Sequence, residues 1–465
     1  MPTTRTETDS MGAIEVPAEA LYGASTQRAL LNFPISGTRF APELIRAIAL
    51  IKGAAAEANQ TLGRLDAARA GLIAQAASEM AAGVHDAHFP LDVYQTGSGT
   101  STNMNANEVI ANRCSQLAGQ PVGSKNPVHP NNHVNLGQSS NDVIPSAIHI
   151  ALGCGLREVL LPALKALQAV LKDKSDEFWD VIKIGRTHLM DATPIRLGQE
   201  FSGFARQIAQ SELRAAQAVA ALLELPLGGT AVGTGINTHP DFAKIVIRSL
   251  STQTQIAWRE AENHFEAQSA KDALVDASGL LKTIAVSLFK IANDLRWLSS
   301  GPRCGLGEIQ LPETQPGSSI MPGKVNPVIC ESLMQVCARV IGNDTTVTWA
   351  AASGNFQLNV MMPVLAHAML ESLRLLARSV SVFREKCVVG IQANELRCNE
   401  LVELSLAMVT SLAPILGYDR AAEIAKECAR TGKTVRQICT EWAVLPEAEL
   451  RRALDPIAMT GDGVS

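Results

Sequence analysis

Long amphipathic patterns dominate the middle of this chain. From Leu274 to Leu298, apolar residues recur in alternating steps of three and four, and the intervening ones are Ala277, Leu281, Ile284, Leu288, Ile291 and Leu295. This heptad seam predicts one helix of roughly 30 residues with a continuous apolar face. Similar patterns cover residues 141–178, 194–223, 327–351 and 363–389. Because five such faces cannot each be buried alone, they predict a helical bundle.

Loops rich in Gly, Pro and Thr separate the predicted helices and divide the chain into three parts. Aromatic residues make up only 4% of the sequence, and its middle is rich in Ala, Leu, Gln and Glu, which favours helix over sheet. We therefore predict an all-α protein with an N-terminal domain (1–138), a central long-helix bundle (139–392) and a small C-terminal domain (393–465). Seams of this length also predict packing against helices of other subunits.

Charge and cysteine spacing disfavour several classes of protein. The formal net charge of −5 argues against a nucleic-acid or anionic-membrane surface. The first residues, MPTTRTETDSMGAIEV, are unlike a signal or transit peptide, and no uninterrupted apolar run is long enough to cross a bilayer. The nine cysteines form no CxxC pair, so we expect reduced thiols and a cytoplasmic location.

The segment PGSSIMPGKVNP, residues 316–327, is similar to a nucleotide-binding P-loop but lacks its essential features. A P-loop has four residues between its glycines and a Ser or Thr after its lysine. Here five residues separate Gly317 from Gly323, a proline removes an amide donor, and Val325 follows Lys324. The nucleotide interpretation therefore fails, and two serines near a lysine remain to be explained.

Four loops between predicted helices combine glycine with hydroxyl and amide side chains. Each loop alone is explained by helix capping and turn formation. Taken together around one lysine and one histidine, their donors suit small carboxylates better than phosphates. A dinucleotide site in GGTAVGTG is disfavoured because the third glycine of the motif is missing. The four loops are residues 96–100, 137–142, 185–188 and 316–327.

Histidine spacing gives little support to a metal site. The chain has no HExxH motif. His129 and His133, four residues apart in VHPNNHVN, form a weak candidate. We therefore expect neither a metal nor a cofactor.

These loops carry a resemblance to a known family. GSSIMPGKVNP closely resembles the signature of the fumarase/aspartase superfamily, and five more segments resemble class II fumarases. They are TGSGTSTNMNANEV, QSSNDV, GRTHLMDATPIRLGQE, GGTAVGTGINTHP and LRWLSSGPRCGLGEI. The similarity runs through almost the whole chain. It implies a three-domain helical fold, a homotetramer with a twenty-helix core, and metal-independent active sites that combine three chains. It also implies the tricarboxylic acid cycle reaction that interconverts fumarate and (S)-malate.

The resemblance also implies roles for individual residues. Ser318 matches the base that takes the proton beside a carboxylate, and Lys324 is the obvious means of lowering the serine pKa. His188 matches the residue that handles water on the opposite face, with Glu331 as its carboxylate partner. Which of Ser318 and His188 is the base in each direction stays open. The residues matched to binding of the substrate carboxylates are Ser98, Gly99, Thr100, Ser139, Ser140, Asn141, Thr187, Ser319, Lys324 and Asn326.

Some positions depart from the family pattern, above all at a second, peripheral carboxylate site. His129 and Asn131 of that site are present, but Asn132 stands where the family tends to have Asp, and Asn126 where it tends to have Arg. The resemblance therefore does not carry this site over intact. The other departures are Met190, His264, Thr314 and Met362.

Three functions are compatible with the sequence. The first is a hydratase for fumarate and malate, which is favoured because aspartases usually have Gln at the position of His188. The second is a paralogue acting on a substituted fumarate or malate, or a C–N lyase such as aspartate ammonia-lyase, which Met190 and Met362 would suit. The third, a non-catalytic scaffold, is disfavoured because Ser318 and Lys324 are both retained.

Overall fold

The computed structural model describes residues 3–461, and α-helix is their main element. The first eight helices are α1 (Ala24–Asn32), α2 (Pro42–Thr61), α3 (Ala67–Ala81), α4 (Thr100–Leu117), α5 (Ser140–Gly155), α6 (Leu161–Glu177), α7 (Leu197–Ala221) and α8 (Phe242–Thr254). The others are α9 (His264–Ser269), α10 (Asp272–Leu298), α11 (Val328–Ala351), α12 (Met362–Lys386), α13 (Glu395–Leu404), α14 (Ala413–Leu416), α15 (Tyr418–Thr431), α16 (Val435–Glu441) and α17 (Glu447–Ala453). The all-α prediction is confirmed.

The strands of the described residues are short and form only two-stranded sheets. They are β1 (Thr4–Asp9), β2 (Gly12–Pro17), β3 (Ile182–Thr187), β4 (Met190–Arg196), β5 (Glu224–Leu225), β6 (Arg259–Glu260), β7 (Ile309–Gln310), β8 (Gly354–Asn355), β9 (Leu358–Asn359) and β10 (Gln392–Ala393). The pairs β1–β2, β3–β4, β7–β10 and β8–β9 are antiparallel, and β5–β6 is parallel.

The predicted heptad seam lies on α10, a helix of 27 residues. Every residue of the seam is at most 4% exposed, as an apolar face that packs against other helices should be. The pattern of residues 141–178 corresponds to α5 and α6, which a short π-helical segment (Leu156–Leu160) joins. The patterns of residues 327–351 and 363–389 correspond to α11 and α12.

One predicted helix begins later than the pattern indicated. The apolar spacing of residues 194–223 predicted helix from Pro194, but α7 begins at Leu197 and the preceding residues form β4. Pro194 pairs with Ile184 in the two-stranded sheet of β3 and β4. A proline is compatible with such a sheet because each strand has a free edge that needs no N–H donor.

The described chain forms two compact units. The first unit comprises the described part of residues 1–162 together with 213–285 and 338–377. The second unit comprises 163–212, 286–337 and the described part of 378–465. A hydrophobic cluster of the second unit lies among the C-terminal helices and includes Leu412, Ile424 and Ile438. The division into three domains and the tetramer stay predictions.

Within residues 3–461, one helical stretch, Ser140–Glu177, has the length and apolar character of a membrane span, and the bent pair Glu395–Leu404 and Leu406–Leu416 would be a second if its two helices formed one span. The most apolar window of Ser140–Glu177 is 56% buried inside the protein, and a core helix of this length passes the same test.

Candidate active site

Two loops of the first unit bring hydroxyl groups together, and we call residues 96–100 and 138–142 the carboxylate loops. A short chain of contacts joins them, because Thr100 Oγ1 lies 2.8 Å from Ser98 Oγ and 2.6 Å from Ser140 Oγ. The first loop ends at the N-terminus of α4 and the second at the N-terminus of α5. Unpaired N–H groups and the helix dipole favour an anion at such a place.

Glycine is required at two positions of the first carboxylate loop. Gly99 caps α4 with a φ of 71°, in the left-handed region that glycine adopts readily. A Cβ atom on Gly97 would lie 1.7 Å from the carbonyl oxygen of Val360, so no side chain fits there. The N–H of Met362 donates to Gly97 O at 3.0 Å, and the Met362 side chain is fully buried. Met362, one of the positions that depart from the family pattern, therefore lies in the core next to this loop.

Asp142 organises the second carboxylate loop, although the sequence interpretation gave it no role. Its Oδ1 accepts from Ser139 N at 2.9 Å, and its Oδ2 accepts from Gly228 N at 3.1 Å and Thr230 N at 3.0 Å. Burial raises the pKa of this fully buried carboxyl, while the three N–H donors act in the opposite direction. The capping-box spacing from Ser139 to Asp142 is the sequence signal that could have identified it.

The second carboxylate loop borders an open cleft of about 470 Å³, whose lining includes Ser139, Thr230 and Asn237. Asn141 Nδ2 donates to Ala231 O at 2.8 Å, which is a further link between this loop and the turn that follows residue 228. The structure thus brings the predicted Ser98, Thr100, Ser139, Ser140 and Asn141 to two adjoining loops of one unit.

In the second unit, β3 and β4 form a hairpin with His188 at its tip, which we call the histidine hairpin. Thr187 pairs with Met190, so His188 and Leu189 are the two central residues of the turn. Their φ angles are 55° and 62°, and two-residue hairpin turns commonly need positive φ at both positions. Non-glycine residues adopt this conformation at a cost in free energy, and such strain occurs often at functional sites. The turn leaves Thr187, His188 and Met190 exposed.

A buried carboxylate, Glu308, lies at the base of the histidine hairpin. Arg186 Nη1 donates to Glu308 Oε2 at 2.8 Å, and Lys183 Nζ lies 3.5 Å from the same oxygen. Lys183 also lies 3.2 Å from Glu200. Glu308 is 0% exposed, and a buried charge of this kind is tolerable only with partners of opposite charge. No motif in the sequence singled out Glu308.

Residues 317–327 of the second unit form what we call the catalytic loop. Ser318 Oγ accepts from Ile320 N at 3.2 Å and from Met321 N at 3.1 Å. Lys324 Nζ donates to Asn326 Oδ1 at 2.8 Å, and Asn326 Nδ2 donates to the carbonyl oxygen of residue 317 at 2.7 Å. These bonds close the loop on itself. The Lys324 side chain remains exposed and Ser318 half-buried.

Lys324, Asn326 and the half-buried Glu331 line one cavity of about 400 Å³, which Arg296 also borders. Glu331 lies in the first turn of α11, five residues after Asn326. Among residues 3–461 of one chain, no hydrogen bond or ion pair joins Glu331 to His188. The predicted pairing of His188 with Glu331 therefore stays a prediction.

At the peripheral site, the histidine rings are engaged in a turn. His129 Nδ1 accepts from Asn131 N at 3.1 Å and from Asn132 N at 3.3 Å, and His133 Nδ1 accepts from His129 N at 2.8 Å. His129 and Asn131 also line a cavity of about 200 Å³. Over the described range, no three His, Cys, Asp or Glu side chains form a cluster that could hold a metal ion.

Comparison with known proteins identifies the family. The sequence profile of the lyase family matches residues 12–342, and that of the fumarase C C-terminus matches residues 408–461. A protein of Halobacterium salinarum named fumarate hydratase class II is 54% identical over 99% of this chain and 98% of its own. A protein of the same name from Chromobacterium violaceum is 54% identical over 94% of each chain.

Solved structures agree with these relatives. The crystal structure of class II fumarase from Schistosoma mansoni superposes with a TM-score of 0.96 at 40% identity, covering 99% of each chain. A structure from Brucella melitensis, titled fumarate lyase:delta crystallin and bound to cobalt, has a TM-score of 0.94 at 47% identity, covering 98% of this chain and 99% of that one. This chain belongs to the class II fumarate hydratase family.

Proposed function

We propose that this chain is a fumarate hydratase, a hydro-lyase that interconverts fumarate and (S)-malate by anti addition and elimination of water. The observation that carries the proposal is its identity of 51–54%, over 94–99% of its length, to four proteins named fumarate hydratase class II. The geometry agrees, because the hydroxyl groups and helix N-termini of the carboxylate loops suit a small dicarboxylate.

Ser318 acts on the proton beside a substrate carboxylate. A serine hydroxyl is a weak base at neutral pH, so its surroundings must favour the deprotonated form. The N–H groups of Ile320 and Met321 both donate to Ser318 Oγ, and such donors stabilise an alkoxide more than a hydroxyl. The positive charge of Lys324, in the same loop, stabilises the dianionic aci-carboxylate group into which the neighbouring carboxylate is converted when the proton leaves.

His188 acts on water at the opposite face of the double bond. Its exposed position at the tip of the histidine hairpin leaves the imidazole free to reach substrate. Glu331 orients this ring in an active site that combines three chains of a homotetramer, the arrangement that the resemblance implies. The remaining matched residues, Thr187, Ser319 and Asn326, bind the carboxylates, and the enzyme works in the cytoplasm.

The test is an assay of fumarate absorbance with purified, chelator-treated protein and (S)-malate as substrate. We expect fumarate to accumulate to the hydration equilibrium, and no absorbance change at millimolar malate would reject the proposal. Methyl-substituted malates and aspartate belong in the same assay because Met190, a departure from the family pattern, is 69% exposed beside the histidine turn. Faster turnover of either than of malate would establish the second candidate function.

A further inference from the structure

Lys52 is a buried cation that the proposed reaction does not use. It lies on α2 in the first unit and is 0% exposed. Its Nζ donates to Asn135 Oδ1 at 2.9 Å and to Gln138 Oε1 at 3.0 Å. Both acceptors are neutral amides, and among residues 3–461 no carboxylate oxygen lies within ion-pair distance of this ammonium.

Burial of such a lysine is unfavourable for the stability of the fold. Removing an ammonium group from water costs several kcal/mol unless an opposite charge compensates. Burial accordingly lowers the pKa of Lys52 to about 7, although the more distant Asp142 partly opposes the shift. An apolar side chain of similar length would fill the same space without this cost.

The acceptors of Lys52 connect the two carboxylate loops. Asn135 Oδ1 also accepts from Asn103 Nδ2 at 3.1 Å and from Asn107 Nδ2 at 3.2 Å, and both asparagines lie on α4, which begins at the first loop. Asn135 Nδ2 donates to the carbonyl oxygen of Gln138 at 3.1 Å, at the start of the second loop. One ammonium group therefore lies at the junction of both loops.

The charge also fixes which way an amide faces. In its charged form Lys52 can only donate, and Gln138 turns its Oε1 towards Lys52 Nζ. Its Nε2 then donates to the carbonyl oxygens of Val134 at 3.0 Å and Leu136 at 3.2 Å. Without the Lys52 ammonium group, Gln138 Oε1 loses its hydrogen-bond donor. The segment that leads into Ser139 then loses the interaction that orients it.

We infer that Lys52 is a positioning residue for substrate binding, which holds the carboxylate loops at the spacing that a dicarboxylate requires. The inference rests on the proposed function, since it takes these loops as the substrate-binding loops. Lys52 does not contact the substrate itself; it acts through Asn135 and Gln138.

The experiment compares wild-type protein with Lys52→Met in three measurements: the calorimetric Kd of succinate, the KM and kcat for malate, and the Tm. We expect Kd and KM to rise roughly tenfold, because the buried acceptors lose their donor and the loops shift, while kcat changes less. We expect Tm to stay the same or rise, since the burial of charge is relieved. A purely structural lysine would instead lower Tm and leave Kd unchanged.

Lys174→Met is the matched control, because Lys174 is also buried but bonds to Glu177 and to Ile391 O in the second unit. It should lower Tm without a change in Kd or KM. If Lys52→Met does not fold, Lys52→Gln replaces it, and a wild-type Kd in that variant would overturn the inference because the charge would then be dispensable. If wild-type protein binds succinate but does not convert malate, the hydratase proposal is rejected. The inference on Lys52 is then decided by the Kd values of wild-type protein and Lys52→Met alone.

Discussion

The carboxylate loops of the first unit and the catalytic loop of the second unit are built in different ways. In the carboxylate loops, Ser98 and Ser140 are 8% exposed and Asp142 is fully buried. Ser140 Oγ contacts Thr100, 40 positions away, and Asp142 Oδ2 accepts from Gly228 and Thr230, 86 and 88 positions away. In the catalytic loop, the hydrogen bonds of the Ser318, Lys324 and Asn326 side chains within the described chain all stay between residues 317 and 326.

Under the proposed function, this difference separates the binding of carboxylates from the chemistry. Loops held by buried, long-range hydrogen bonds lose little conformational entropy when a ligand binds. Less of the interaction free energy is then spent on ordering the loops, and affinity is higher. The catalytic loop contains the groups that we propose act on the proton, and their side-chain hydrogen bonds stay within the loop. We therefore expect substitutions in the catalytic loop to change kcat, and substitutions beneath the carboxylate loops to change KM and stability.

The largest effect should come from Ser318→Ala, which removes the hydroxyl group that we propose acts on the substrate proton. We expect kcat to fall about 10²–10⁴-fold, the range that one general base contributes, with little change in Tm because the side chain is only half-buried. Steady-state kinetics and thermal unfolding measure both. Ser202→Ala, at an exposed serine of α7, is the control. Retention of wild-type kcat in Ser318→Ala would remove Ser318 from the mechanism.

The next largest effect should come from Glu308→Gln at the base of the histidine hairpin. Lys183 and Arg186 would lose the buried charge that compensates them, and we expect a loss of about 3 kcal/mol in the free energy of unfolding. Denaturant titration measures it. Asp191→Asn is the control, since this carboxylate lies 3.9 Å from Arg186 but is 64% exposed, and surface pairs contribute little. Equal losses in both variants would contradict a specific role for the buried carboxylate.

A smaller effect is expected from Asp142→Asn in the second carboxylate loop. The amide nitrogen of the new side chain would face either Ser139 N or the two N–H groups of Gly228 and Thr230, so one contact becomes donor against donor. We expect a loss of about 1–3 kcal/mol in unfolding free energy and a raised KM with kcat nearly kept. Asp241→Asn, at a carboxylate 63% exposed, is the control for both measurements. A fall in kcat without a rise in KM would break the proposed division between binding and chemistry.

The same difference explains how far the sequence alone could predict this site. The catalytic loop is local, so Ser318, Lys324 and Asn326 could be identified from one short segment. The heptad seam of α10 was equally local, because apolar spacing reports the buried face of a helix directly. The fold class therefore followed from the sequence with few errors.

Contacts between residues far apart in the chain leave no comparable pattern in the sequence. Glu308 acts on β3 from more than a hundred positions away, and Lys52 reaches Asn135 and Gln138 across more than eighty. Glu308 lies within LRWLSSGPRCGLGEI, but nothing in that segment points to its partners, and Lys52 lies in none of the six family-like segments. Burial in the folded chain reveals both residues. The histidine hairpin was predicted as a loop because its turn contains neither the Asn nor the Gly that usually mark such turns.

The last prediction concerns pH and isolates Lys52 from the rest of the first unit. Its pKa is about 7 in the folded chain against 10.5 for an ordinary lysine, so between these values the unfolded chain binds more protons than the folded one. Stability must then rise with pH through this window, by at most about 1.4 kcal/mol per pH unit. Lys52→Met should lack this rise.

Denaturant titrations of both proteins at pH 6, 7, 8 and 9 measure the difference. Lys271, also buried with its pKa lowered to about 8, contributes a similar slope, but it is present in both proteins and cancels. Asp142 is common to both as well. If the difference in unfolding free energy grows with pH above 7, Lys52 is a buried charge beneath the carboxylate loops. The catalytic loop, whose Lys324 is exposed, has no such buried charge. If the difference is independent of pH, the pKa of Lys52 is not lowered in the folded chain. The hydrogen bonds among the buried amides would then hold the network without help from an unfavourable buried charge.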